Sequence, residues 1–444
     1  VDMTDTETGR LISAIEEIGE LDNTLIFYIA GDNGTSAEGG MNGLYNEMTY
    51  FNSEPKGSDV DFMMEFYDAW GDPSTYPHMA AGWAVCFDSP FMWTKQVASN
   101  YGGTRNGMVV HWPDGIEAAG EIRSQWHHVI DVTPTVLEAC KLPQPRIVNG
   151  VAQRPIEGVS MLYSFDKPRM PSRHHVQYFE MFGNRGIYFD GWFAGTVHVK
   201  PWAGVENGFT EDVWELYHVD EDFSMSNDLA AERPEMLEAL QEAFLAEAVK
   251  YNVLPLDDRR EELFDPNQAG RPDLMFGRKS LTLYEGMGGL LENDFINVKN
   301  ASYEIVAELS DTGSETNGVI VQQGGRFGGW SLYVKEGKPV FAYNYLGLET
   351  TRAISESALP DGESKVTMRF DYDGGDPGSG GDVTLLIDGE EVGSVRVDQT
   401  ERSIFSADET SNIGVDKETM VSDDYTPESS RFTGSIEKVT ITVK

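Results

Sequence analysis

An unbroken apolar run, Leu25-Ile26-Phe27-Tyr28-Ile29-Ala30, stands between a turn at Asp22-Asn23 and the segment Gly31-Asp32-Asn33-Gly34. It is too short for a helix and does not alternate, so it reads as a strand covered on both faces, as in a parallel sheet. Ahead of it, Leu11, Ile12, Ile15 and Ile18 recur at helical spacing, and Gly19 stands where a C-cap belongs. A second apolar run, Met108-Val109-Val110-His111-Trp112, closes at Pro113. Thr133-Pro134 then opens a helix through Cys140, with Thr133 as N-cap and Pro134 at the first helical position. Helix and buried strand alternate, which predicts an α/β domain over residues 1–145.

From residue 146 to 264 the texture changes to an α+β subdomain. Short strand-like pieces, Gly186-Ile187-Tyr188-Phe189 and Trp214-Glu215-Leu216-Tyr217, precede a helix from Pro234 to about Tyr251 with Leu237, Leu240, Phe244 and Ala248 on one face. A charged, proline-containing linker is expected over residues 265–278. Beyond it, over 279–444, helical signals stop. Ser302–Leu309, Val319–Gln323, Ser331–Val334, Lys365–Tyr372, Val383–Ile387 and Ile436–Val443 alternate or are β-branched, predicting an all-β sandwich. The tract Asp373–Asp382 is rich in glycine and reads as a mobile hairpin loop.

Charge excludes partners. Against 33 basic residues stand 74 acidic ones, a net charge of −41, which repels nucleic acid and anionic membranes. Such a surface suits a salty medium in which counterions screen self-repulsion. No apolar stretch is long enough to span a bilayer, and the N-terminus has no signal-peptide pattern. Val1 is followed almost at once by a helical pattern, so we expect the chain to start in mid-domain. Cys86 and Cys140 imply no disulfide framework. Cys86, between Val85 and Phe87, reads as a buried thiol.

Chemistry concentrates after the first strand. Gly31-Asp32-Asn33-Gly34 lies where a parallel strand ends, the place where ligand sites form in open α/β sheets. Asp32 and Asn33 offer two hard oxygens to a Ca²⁺ or Mg²⁺ ion, but Asp-Asn-Gly is equally good turn chemistry. Position alone leaves both readings open.

The segment Gly31–Gly40 resembles the metal-binding strand end of arylsulfatases, members of the type I sulfatase family with an alkaline-phosphatase-like fold. Gly82-Trp83-Ala84, Ser89-Pro90-Phe91-Met92-Trp93-Thr94-Lys95-Gln96, Gly102-Gly103-Thr104-Arg105-Asn106-Gly107, Trp112–Ile116 and His128–Thr135 are similar to that family in its order and spacing. Trp214–Tyr217 through Asn227–Ala230 looks like its C-terminal subdomain, so the resemblance extends to about residue 260. It implies that Asp32 and Asn33 are metal ligands, usually to Ca²⁺ and alternatively to Mg²⁺, and that Lys95 contacts the sulfate oxygens and assists the leaving oxygen. His78, beside an aromatic-rich loop, is a candidate substrate contact. His127 and His128 suit a structural role, and Arg105 is expected to pair with a carboxylate as scaffold.

The family nucleophile, a formylglycine made in a C-x-P-x-R pattern, is missing. Cys140-Lys141-Leu142-Pro143 has its proline one place late, and Arg169 stands where a cysteine would precede Met170-Pro171-Ser172-Arg173. The resemblance therefore implies the C-terminal part of a secreted or periplasmic enzyme acting on a sulfate ester, sulfated glycans included, with the formylglycine in an upstream segment. That segment, or a second copy of the chain, is expected to cover the open sheet, and the 444 residues alone to be inactive. Residues 279–444 resemble laminin-G or concanavalin-like modules at Phe432–Ile436 and Val439–Ile441, with Trp330, Tyr333, Tyr343 and Tyr345 as exposed candidates for carbohydrate contact. A phosphonate or phosphate monoester hydrolase of the same superfamily and a non-catalytic glycan-binding remnant are the rival functions.

Overall fold

The computed structural model describes residues 2–31, 33–205, 208–260, 263, 269–270, 274–275 and 277–444. The chain is mixed α/β in its first part and all-β in its last, with two compact units: Val1–Ala37 with Ala81–Asp258, and Glu38–Ala80 with Arg259–Lys444. That division cuts across the expected 1–145 domain, because Glu38–Ala80 belongs with the sandwich. Most of the expected linker over 265–278 lies outside the described residues.

In the first unit, the helix Asp2–Glu17 carries the predicted apolar periodicity, yet Leu11 is 64 % exposed. The apolar run forms the strand Ile26–Ile29, which pairs antiparallel with Met108–His111 in the register Ile26↔His111 to Ile29↔Met108. The expected parallel neighbour and two-sided burial are therefore corrected: the strand is half-buried and Ile29 exposed. Unbroken apolar composition fixes neither strand direction nor burial, and the partner strand Met108–His111 is itself mostly exposed.

The α+β part is built as a four-stranded antiparallel sheet of Val176–Met181, Asn184–Phe189, Trp192–Thr196 and Glu215–His218. The helix Pro234–Lys250 starts with proline at its first turn, where the missing N–H costs nothing. Leu240, Phe244 and Ala248 recur every four residues, one stripe of the helix, and bury against Ile187, Ala194 and Leu216 of the sheet. Cys86 and Cys140 are free and exposed, so the expected burial of Cys86 is corrected: its helix, Ala81–Asp88, turns Ala81 and Ala84 inward instead.

The second unit is a sandwich of two antiparallel sheets. One has the order Glu390–Gln399, Ser379–Ile387, Gly362–Tyr372, Tyr303–Thr312, Ser435–Val443, Ser280–Leu283. The other runs Glu349–Ile354, Lys338–Tyr345, Gly328–Lys335, Gly318–Gly325, Asn412–Ile413. Tyr303, Ile305, Ala307 and Leu309 are buried in strict alternation, the signature of a strand with one face on a core. Trp330, Tyr333, Tyr343 and Tyr345 are 0, 1, 3 and 9 % exposed, which corrects their expected role as a carbohydrate-facing surface. Their strands are covered on both faces, so aromatic content there reflects packing. The Asp373–Asp382 tract is tied down rather than loose. Gly378 N–H donates to Asn300 Oδ1, Tyr372 OH to the Asp376 carbonyl, and Arg396 pairs with Asp373.

Glu38–Ala80 is welded to this sandwich by buried polar groups. Asn46 Nδ2 donates to the carbonyls of Phe327 (3.2 Å) and Leu346 (2.8 Å). Asn52, 3 % exposed, donates to the carbonyls of Met48 and Ile404 and accepts from the N–H groups of Ser403 and Ile404. Met48 is part of the sandwich core, and Tyr345 OH donates to Glu54. Asn52→Ala should thus strip several buried backbone groups of their partners and destabilise this unit by about 2–4 kcal/mol. Chemical denaturation of wild type and variant measures this; an unchanged midpoint would show that the weld is dispensable.

Candidate active site

Backbone proximity builds the site. A methyl group on Gly34 would lie 1.6 Å from the Gly102 carbonyl oxygen, and Gly34 N–H donates to the Gly103 carbonyl at 3.0 Å. Gly102 in turn lies against the Met92 and Trp93 carbonyls, each 2.2 Å from where its Cβ would be, and Gly103 against that of Val97. Only glycine permits this approach. The turn that follows the first strand is thereby fixed to the loop bearing Lys95, and Lys95 N–H donates to the Thr35 carbonyl at 3.1 Å.

Two further side chains hold that turn. Thr35 N–H donates to the Asp88 carboxylate, 2.8 and 3.1 Å from its two oxygens. Burial raises the Asp88 carboxyl above its ordinary range, against the lowering effect of Thr35. The Asn106 amide, oriented to satisfy both partners, donates to the Asn33 carbonyl at 2.8 Å and accepts from the Asn33 N–H at 3.0 Å. On the Lys95 side, Trp93 and Gln96 adopt φ of +70° and +75°, a left-handed backbone that is costly for such side chains.

Of the sequence-predicted residues, Asn33 and Lys95 are therefore brought onto interlocked segments. Asp32 lies outside the described residues. His78 belongs to the second unit. There its Nδ1 lies 3.1 Å from the Gly39 N–H and its Nε2 4.0 Å from Glu38, with the side chain largely buried. Among the described residues no group of three or more His, Cys, Asp or Glu side chains is placed to hold a metal. Asn33 alone offers one neutral oxygen where Ca²⁺ takes roughly six to eight. The described residues by themselves do not fit such an ion.

A second polar cluster sits below the helix Val132–Ala139. Asp131, fully buried, accepts from the N–H groups of Val159 and His128 and faces His174 Nδ1 at 2.9 Å and His127 Nδ1 at 3.5 Å. Burial alone would raise this carboxyl, but bonds from His127, His174 and the two N–H groups hold it well below its ordinary range. Burial, reinforced by His174, lowers His128 to about 4, against the pull of Asp131. His128 caps Ile130 and lies parallel to Trp126, which stacks on Tyr188 with centroids 4.2 Å apart. His128 is thereby built into the scaffold, whereas both ring nitrogens of His127 are buried without a well-placed hydrogen-bond partner among the described residues. Arg105 lies over the rings of Phe91, Tyr101 and Phe223 rather than beside the carboxylate expected for it. Asp88, Asn106, Asp131 and His174 were missed in sequence because each acts on a segment distant in the chain, with no local pattern to mark it.

Residues 1–142 match the family model described as Sulfatase. The matched region contains both the Asn33 turn and the Lys95 loop. Among curated proteins the chain is 26 % identical over 267 residues to an uncharacterized sulfatase of Schizosaccharomyces pombe, covering 58 % of this chain and 44 % of that protein. It is 25 % identical over 160 residues to an arylsulfatase of Klebsiella aerogenes, covering 35 % of this chain and 31 % of that protein. The chain thus spans less than half the length of these relatives. Solved structures that resemble it include one from the glycosaminoglycan-metabolism locus of Bacteroides thetaiotaomicron, with 20 % identity, 55 % of this chain and 42 % of that one covered, and a TM-score of 0.34. Another is the mouse laminin α1 chain, domains LG4-5, with 17 % identity, 37 % and 39 % covered, and a TM-score of 0.25.

Two outcomes follow from this geometry. Gly34→Ala should push the Asn33 turn off the Lys95 loop, exposing Lys95 N–H to rapid hydrogen exchange; unchanged protection would sever the link between the two segments. His128, whose folded value of about 4 lies below the ordinary 6.5, makes the unfolded chain bind the extra proton, so stability falls as pH drops from 6.5 towards 4. Asp131, also depressed, stabilises above its ordinary 3.8 and loses that contribution as pH falls further. Urea melts across pH 7.5 to 4.5 should therefore show a shallower slope for His128→Gln, and an identical slope would refute the assignment.

Proposed function

We propose that this chain forms part of the active site of a sulfuric ester hydrolase of the arylsulfatase type, with Lys95 as the cation on the transferring sulfuryl group. One observation carries the proposal: the sulfatase match over residues 1–142 includes the glycine-locked contact that fixes Lys95 beside the Asn33 turn. As the sulfuryl group transfers, negative charge spreads over its oxygens and builds on the leaving oxygen. A lysine on a rigid loop stabilises that charge without reorganising at the moment of reaction.

Asp32 and Asn33 are proposed as two ligands of a Ca²⁺ or Mg²⁺ ion whose other ligands come from sequence outside this chain. The formylglycine nucleophile would come from the same source, in keeping with the coverage of less than half of both relatives. Its segment would also cover exposed apolar residues such as Leu11 and Val109. His78 is proposed as a substrate contact, and a secreted or periplasmic location fits the family. No described helix is long and apolar enough to cross a membrane.

Paired sulfate and phosphate monoesters given to the intact enzyme separate sulfatase from phosphatase chemistry. Lys95→Ala should lower kcat/KM for the sulfate ester by about 10²–10³-fold. The 444-residue chain alone should give no turnover. Full activity of Lys95→Ala, or preference for the phosphate ester, would overturn the proposal.

A further inference from the structure

The loop that carries Lys95 spends conformational energy on a tryptophan. Trp93 stands at φ +70°, a backbone that glycine adopts freely and a bulky side chain does not. Its carbonyl is pressed against Gly102, so the surrounding structure imposes the strain. Nor is Trp93 a core residue that packing would require, since it is only half-buried and, among the described residues, takes no part in a hydrophobic core cluster. A strained, partly exposed aromatic two residues from the candidate cation points to use of the side chain itself.

Its partner supports this. The Trp93 and Trp202 rings stack with centroids 6.2 Å apart and planes 22° apart. Trp202, also half-buried, is backed by Ala37, Ala81 and Ala84, whose small side chains let the indole settle against them. Ala37 follows the Asn33–Thr35 turn, so the backing of Trp202 and the anchoring of Lys95 share one segment. The net charge of −41 adds a reason for such a surface. An anionic ester approaches against a repulsive field, so uncharged contact with the rest of the molecule must supply affinity.

We propose that Trp93 and Trp202 form an aromatic platform beside Lys95 that binds the ring of a cyclic sulfate ester, sugar or aryl. This rests on the sulfate-ester function proposed above. The shared chemistry is a ring with an apolar face: the C–H face of a pyranose and the π-face of an arene both stack on indole. The pair selects ring-bearing esters over open-chain ones.

Calorimetric titration of the intact protein with 4-nitrophenyl sulfate, galactose 6-sulfate and n-butyl sulfate tests this. Trp93→Ala and Trp202→Ala should each weaken binding of a ring ester by roughly three- to tenfold and leave n-butyl sulfate unchanged, with Trp93→Phe retaining most of the affinity. Which of the two ring esters suffers more identifies the ring. Trp93→Gly separates binding from folding: relief of the φ strain should keep the melting temperature equal or raise it, while ring affinity is lost. Equal loss for all three esters, no loss for either ring ester, or a lowered melting temperature in Trp93→Gly would overturn the platform alone. Failure of the wild type to bind any of the three would sink the sulfate-ester function as well.

Discussion

The candidate site depends on a backbone contact that no side chain could survive. Gly34 and Gly102 meet so closely that a single methyl group would collide with a carbonyl oxygen, and Gly103 accepts the Gly34 N–H. Through that contact a turn and a loop separated by some sixty residues in sequence become one rigid piece. Asp88 and Asn106 complete it by taking up the N–H of Thr35 and both backbone groups of Asn33. Every polar group spent this way holds the turn and the loop in one arrangement, since any other leaves it unpaired.

The second unit solves a different problem. A sandwich of two antiparallel sheets closes its core with its own strands, yet here a segment from far earlier in the chain completes it. Met48 enters the core while Asn46 and Asn52 satisfy carbonyl and N–H groups of the loops around Phe327, Leu346 and Ile404. Buried amides of this sort contribute specificity as well as stability, since any other packing leaves them unpaired. The sandwich is therefore not an appendage that could be cut away at residue 259 without loss of its own parts.

Polar burial also separates scaffold from function. Asp131 gathers His127, His128 and His174 around one carboxylate under a helix start, and the cluster is closed by Trp126 and Tyr188. The carboxylate is satisfied by His174 and by the N–H groups of Val159 and His128, whereas both ring nitrogens of His127 are buried without a well-placed hydrogen-bond partner among the described residues. Trp93 and Gln96 are strained, Trp93 is partly accessible, and the two stand on either side of Lys95.

Several features were legible in the sequence because their cause is local. The stripe of Leu240, Phe244 and Ala248 predicts its helix, and the alternation from Tyr303 to Leu309 predicts a sandwich strand, since periodicity records which face is dry. Only the tertiary structure decided that Ile26–Ile29 runs antiparallel to its neighbour, that Trp330 and Tyr343 are core, and that Glu38–Ala80 joins the sandwich. Hydrophobicity along a chain states how much surface must be buried, and the partner that buries it lies at a sequence distance that no local pattern encodes.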